Sequence, residues 1–194
     1  MRKLLLSLVL PGCMLVAHAG DTLAIKQKSI AATSNAGLTL PPGFEAFIVA
    51  DDIGKARHIV ATPQGALYIK LDEPVKGNGI LRLRDTNGDG KMDDVKGFAG
   101  YGGTGITIKG DHLYASSDEE VFRYKLDPNG EIMGPGTPEK VITGLINKRQ
   151  HSSKSIVLDD QGNIYVNIGA PSNSCQERDR ARGSKGKDPC PILD

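Results

Sequence analysis

The sequence predicts an all-β chain built by repetition. Residues 57–71, 104–126 and 154–169 share one pattern: an apolar strand, a polar turn, and a second strand entered through Leu-Tyr or Ile-Tyr. Tyr68, Tyr114 and Tyr165 mark equivalent points 46 and 51 residues apart, a period that suits radial blades and exceeds most helical repeats. After residue 38 no long segment carries a 3.6-residue apolar period, which argues against α/β alternation. Together these observations predict a β-propeller.

Each strand follows from alternation and turn chemistry. In the third copy, Ile164, Tyr165, Val166 and Ile168 are bulky or β-branched. The preceding Asp159-Asp160-Gln161-Gly162-Asn163 supplies residues that tolerate tight turns. Pro63-Gln64-Gly65 and Lys109-Gly110-Asp111 play the same part in the first two copies. A second hairpin follows in each of those: residues 79–84 run into an Asp-Asn-Gly turn at 85–90, and residues 120–126 run into Asp127-Pro128-Asn129-Gly130. That gives about four short strands per repeat and predicts about three four-stranded blades.

Length bounds the architecture. Six blades of this period need roughly 280–310 residues, whereas 157 residues run from Leu38 to Asp194. The expectation is therefore the N-terminal part of a propeller at residues 38–194, in a fragment of a longer protein or a truncated gene product. An open β domain of about three blades is the alternative, although open repeat arrays usually need distinct caps.

The N-terminus reads as an address. Arg2 and Lys3 precede an apolar run from Leu4 to Leu10, and Ala17-His18-Ala19 has the form of a signal-peptidase site. Residues 1–19 are expected to be a signal peptide directing export to the periplasm, and residues 20–37 a flexible leader. Leu10-Pro11-Gly12-Cys13 loosely resembles a lipoprotein box, and the chain would meet a membrane only if lipidated at Cys13. The apolar run is too short to span a bilayer.

Removing residues 1–19 leaves 22 basic against 23 acidic side chains, a net charge of −1. Such a balance gives no argument for nucleic acid or an anionic membrane surface. It also leaves Cys175 and Cys190, 15 positions apart, which in an exported chain are expected to pair.

Asp85, Asn87, Asp89 and Asp93 stand at positions 1, 3, 5 and 9 of a calcium-loop pattern with Gly90 at position 6. Lys96 occupies the twelfth position, where a bidentate glutamate is expected. The alternative is a tight acidic turn built by Asn-Gly and Asp-Gly.

His151 lies just ahead of the first strand of the third copy. In a propeller, the loops entering the innermost strands gather at one end of the central channel, and a residue there projects toward a ligand. Imidazole is suited to accept a proton near neutral pH. Arg149 and Lys154 would favour an anionic ligand; ordinary solvated charge is the alternative for both.

The run Gln150-His151-Ser152-Ser153-Lys154-Ser155-Ile156-Val157, followed by residues 161–169 and Ser172-Asn173-Ser174-Cys175, resembles the sorbosone and soluble glucose dehydrogenases that use pyrroloquinoline quinone (PQQ). Leu40-Pro41-Pro42-Gly43-Phe44, the 84–94 turn and Thr104-Gly105-Ile106 resemble the same family. The histidine-to-cysteine stretch is fairly specific, and the remainder is shared with many propellers. The resemblance implies an exported six-bladed enzyme that oxidises an aldose or sorbosone-type sugar with PQQ and Ca2+. Electrons would pass onward to an acceptor such as a c-type cytochrome or a quinone. It also implies that His151 meets the cofactor site and takes the proton from the substrate hydroxyl while hydride moves to the quinone.

Two departures bound the resemblance. The residues that hold the cofactor's carboxylates in that family lie downstream of Asp194, so none is assigned here. Gly102-Gly103-Thr104 replaces a polar amide of the glucose branch, which favours the sorbosone-like branch. The rivals are a non-catalytic exported propeller used for binding or scaffolding, and a metal-dependent lactonase-type propeller.

Overall fold

The computed structural model describes residues 34–147, 150–170, 172 and 174–190. The signal peptide with Cys13, residues 20–33 of the leader, Arg149 and Asn173 lie outside the described residues. Among the described residues no helix is long and apolar enough to cross a membrane.

Ten strands form three antiparallel sheets. β1 (Ala56–Ala61), β2 (Leu67–Val75), β3 (Asn78–Arg84) and β4 (Asp94–Phe98) make the first, in sequence order. β5 (Ile106–Lys109), β6 (His112–Ser116), β7 (Val121–Lys125) and β8 (Glu139–Ile142) make the second, and β9 (Ile156–Leu158) with β10 (Ile164–Val166) the third. The first strands neighbour one another, β1 beside β5 and β5 beside β9. This is the arrangement of consecutive blades around a channel, and the chain has a partial β-propeller-like fold.

The three four-stranded blades expected from the sequence are realised as two, with the third copy reduced to a hairpin among the described residues. The cause is local. Residues 170–190 carry no period-two apolar pattern, so nothing there can bury one face of a further strand. Residues 174–190 form instead an irregular segment fastened by the Cys175–Cys190 disulfide, as the cysteine spacing predicts.

Packing between sheets uses alternate residues of each strand. Val60, Tyr68, Ile80 and Phe98 of the first sheet meet Ile106, Leu113, Phe122 and Tyr124 of the second. Phe98 sits edge-on between Tyr68 and Tyr124, with ring centroids 6.3 and 5.3 Å away. The fully buried Tyr68 donates its hydroxyl to the Gly130 carbonyl of the second sheet at 2.7 Å. Arg82, almost fully buried, reaches Asp94 at 2.7 Å and Glu131 of the second sheet at 3.0 Å. The next interface is smaller: Tyr114 and Val121 pack with Ile156, Leu158, Ile164 and Val166.

One turn device recurs. The carboxylate of Asp127 accepts the amides of Asn129 and Glu131, and that of Asp159 accepts those of Gln161 and Asn163. Asp85 does the same for Gly88 and Gly90, at 2.6 and 2.8 Å. A short acidic side chain that bonds its own backbone two or more residues on favours such turns.

Candidate active site

His151 occupies the loop entering β9 and holds a left-handed backbone, φ 49°. Such a conformation is uncommon outside glycine and persists where the surroundings impose it. Two neighbours impose it here. Gly169 packs flat against His151: a Cβ at Gly169 would lie 2.5 Å from the His151 Cβ and closer still to its carbonyl oxygen. Lys154, 1 % exposed, donates its Nζ to the Ser152 carbonyl, one residue past the histidine. Lys154 is thus a buried structural cation, which removes the sequence alternative of a solvated charge.

The segment beyond β10 braces the same loop. Gln150 donates its amide to Asp179 at 2.6 Å, and Asp179 also accepts the hydroxyls of Ser172 at 2.7 Å and Ser174 at 3.0 Å. These donors, Ser172 foremost, hold the Asp179 carboxyl below its usual range. The disulfide fixes residues 175–190 beside this cluster, and Lys187 donates its amide to the Cys175 carbonyl at 2.6 Å.

His151 lines an open cavity of about 650 Å³ with Arg57, Thr104, Ser152, Ser153, Ser155 and Asn167 among its walls. Hydroxyls, an amide, an imidazole and one guanidinium form a surface that can bind a polyhydroxylated ligand through many neutral hydrogen bonds. The Thr104 Oγ1 is buried without a hydrogen-bond partner, a group that a ligand hydroxyl or carboxylate can satisfy.

A second cleft of about 430 Å³ adjoins the first and shares Ser152 and Ser153 with it. Asp72, Glu73, Asp118, Glu119 and Glu120 give it an acidic wall. Gly102 and Gly103 form its floor, where side chains have no room: a Cβ on Gly102 would strike the Asp72 carbonyl. Close backbone packing at Gly102 and the positive φ of Gly103 therefore account for glycine at both positions.

Behind that floor lies Lys70, fully buried, its Nζ donating to the Tyr101 carbonyl at 2.7 Å and resting 4.0 Å above the Tyr101 ring. Burial lowers its pKa to about 7, against a smaller opposing pull from Asp118. Lys70 stands two residues after Tyr68, as Ser116 does after Tyr114 and Asn167 after Tyr165. Each bonds backbone near a β-strand entry: Lys70 the Tyr101 carbonyl, Ser116 the Gly105 amide and Lys154 carbonyl, and Asn167 the Ser155 amide. This repeated polar position is the signal in the sequence that would have revealed Lys70.

The acidic turn is elsewhere. Asp85, Asn87, Asp89 and Asp93 occupy the β3–β4 connection, which antiparallel order places at the end of the sheet opposite the entry to β1. The sheets thus separate these residues from the loops that enter the first strands. The carboxylates of Asp85 and Asp93 are engaged by backbone amides and by Thr86, whose amide and hydroxyl reach Asp93 at 2.8 and 2.7 Å. Among the described residues no group of three or more His, Cys, Asp or Glu is placed to hold a metal ion.

The described walls around His151 offer neutral hydrogen-bonding groups and by themselves do not match the carboxylates of PQQ. PQQ carries three carboxylates, whereas Arg57 is the one cation among the described residues of the cavity, and the neighbouring wall is acidic.

Comparison with known proteins agrees with this architecture. No curated protein matches the chain. Among solved structures, the holo PQQ domain of pyranose dehydrogenase from Coprinopsis cinerea superposes with a TM-score of 0.53 at 19 % identity, over 65 % of this chain and 30 % of that one. A Trichoderma reesei structure of Carbohydrate-Active Enzymes Family AA12, an iodide form, gives 0.53 at 23 % identity over 66 % and 33 %. A calcium form gives 0.52 at 24 % identity over 65 % and 32 %. The chain spans about a third of the length of these structures. These likenesses show a shared fold, and they do not single out the sorbosone or soluble glucose dehydrogenases. A TrAA12-like family model matches residues 38–187, and the chain accordingly belongs to the TrAA12-like family.

Proposed function

We propose that this chain forms part of an exported quinoprotein that oxidises a pyranose or related aldose, with His151 as the base. The observation that carries the reading is the seating of His151: Gly169 and Lys154 hold its backbone in a left-handed conformation at the wall of a hydroxyl-rich cavity. A base held this way needs no rearrangement to meet a substrate hydroxyl. Ser152, Ser153, Ser155 and Asn167 orient the sugar's hydroxyls, and the Nε2 or Nδ1 of His151 takes the proton of the hydroxyl being oxidised. PQQ, when bound, supplies the two-electron acceptor. No described residue is assigned to its carboxylates. Ca2+ beside the quinone, a c-type cytochrome or quinone as acceptor, and a periplasmic location belong to the same proposal.

The test is dye-linked oxidation of aldoses by the complete protein after addition of PQQ and calcium, wild type against His151→Ala. A loss of at least 100-fold in kcat is expected of a missing general base, of order 10²–10⁴. Equal rates would remove His151 from the mechanism. A second reading has its own observation in the hydroxyls and amide of the described cavity walls: a binding module that holds sugars without oxidising them. Sugar affinity in the absence of any PQQ-dependent turnover would favour it.

A further inference from the structure

The segment 174–190 has little of its own to bury. Between Cys175 and Cys190 the apolar side chains are Ala181 and Pro189, and these residues form no helix or strand; an isolated bridge pairs Gln176 with Gly186. Beside that bridge Lys187 donates its amide to the Cys175 carbonyl at 2.6 Å, and Glu177 donates its amide to the Lys185 carbonyl at 3.0 Å. A polar segment of this kind keeps one shape when its ends are tied, and the disulfide ties them across 15 positions.

What the staple holds in place is Asp179. Its carboxylate meets two residues beside the His151 cavity: Ser172, which lines it, at 2.7 Å, and Gln150, next to His151 in the chain, at 2.6 Å. Ser174 adds a third donor at 3.0 Å. The Gln150 Oε1 is buried with no hydrogen-bond partner among the described residues, so Asp179 is the polar anchor of this side chain. Without Asp179 both ends of the amide go unsatisfied, and the side chain gains by turning out to water. His151, in its left-handed conformation one residue on, moves with it.

We propose that the Cys175–Cys190 disulfide sets the geometry of His151 through Asp179, a positioning residue presented to Gln150 only while the two cysteines are joined. The consequence for turnover rests on the proposed role of His151 as base. Closing the bond takes two electrons and two protons from the cysteine thiols and passes them to a disulfide oxidant, which leaves as a dithiol; a dithiol reductant reverses the exchange. Cys175 is exposed and Cys190 partly so, within reach of either reagent. The loop that carries the imidazole is thus completed by oxidation, a step that an oxidising compartment supplies.

Diethyl pyrocarbonate modification of the purified chain, followed peptide by peptide with mass spectrometry, tests this without turnover, so its outcome is separate from that of the His151→Ala assay. Oxidised chain is compared with chain reduced by dithiothreitol, with the gain of two hydrogens confirmed by intact mass. The rate at His151 should rise by roughly threefold or more as the loop opens, while His58 on β1 and His112 on β6 keep theirs. Asp179→Ala should give the reduced rate at His151 with the disulfide intact, and reducing that variant should add nothing. An unchanged rate at His151 on reduction, a change shared by His58 and His112, an Asp179→Ala variant that reacts like oxidised wild type, or additive effects of reduction and substitution would each overturn the proposal.

Discussion

Replacing Lys70 by Met separates the cost of burying a charge from the benefit of its contacts. The native state holds the amine at a pKa of about 7 rather than 10.5, chiefly through desolvation. That gap is about 3.5 pH units, and at about 1.36 kcal/mol per unit it amounts to about 5 kcal/mol. Between pH 7 and 10.5 the unfolded chain binds the proton that the native chain has lost. Stability contributed by this site therefore climbs as pH rises through that window and is flat below it. The substitution removes this slope but leaves the Tyr101 carbonyl without its donor, at about 1–3 kcal/mol. Lys70→Met should then be more stable than wild type at pH 6 by about 2–4 kcal/mol and less stable at pH 10. Urea unfolding followed by circular dichroism at both pH values reads the difference. A wild-type-to-variant gap that stays the same within about 1 kcal/mol from pH 6 to pH 10 would refute the reasoning.

Three further outcomes are expected. Gly169→Ala should displace the His151 loop and change the rate at which diethyl pyrocarbonate modifies His151, while the melting temperature falls by only a few degrees; an unchanged rate would separate Gly169 from the histidine. Tyr68→Phe removes a buried hydroxyl and strands the Gly130 carbonyl, so it should cost about 1–3 kcal/mol in denaturant unfolding, and a neutral result would make that bond dispensable. Calcium titration decides the role of Asp85, Asn87, Asp89 and Asp93. A turn held by its own hydrogen bonds predicts a melting temperature indifferent to calcium and to EDTA, whereas a rise of several degrees that Asp85→Ala abolishes would assign the ion to this turn.

The blades were legible because their signals are local. Alternation around Tyr68, Tyr114 and Tyr165, with turn residues at fixed offsets, located strands in all three sheets. The Asp-x-x-Gly turns announced themselves through composition. The two-stranded form of the third sheet was not legible, because blade period alone projects four strands wherever the first two recur, while residues 170–190 lack an alternating face. His151 could be singled out from its place before a strand. Its supports could not: Gly169 packs against it from 18 positions away, and Asp179 bonds the neighbouring Gln150 from 29. Lys70 and Lys154 were the least visible, since a lysine read in isolation is a solvated charge, whereas here each amine bonds a backbone carbonyl and that of Lys70 also rests over the Tyr101 ring.

The hydroxyl of Ser116 joins the Gly105 amide at 3.1 Å to the Lys154 carbonyl at 2.7 Å, fully buried between the second and third sheets. Replacement by alanine strands a donor and an acceptor together, and replacement by anything larger meets Gly105, where a Cβ would already crowd the serine oxygen. Positions 105 and 116 therefore constrain each other, while Lys154 takes part through its backbone carbonyl. Over evolutionary drift the glycine and the serine should change together, and the loop that carries His151, tied to them through the Lys154 carbonyl, inherits that restraint although it lies in another sheet.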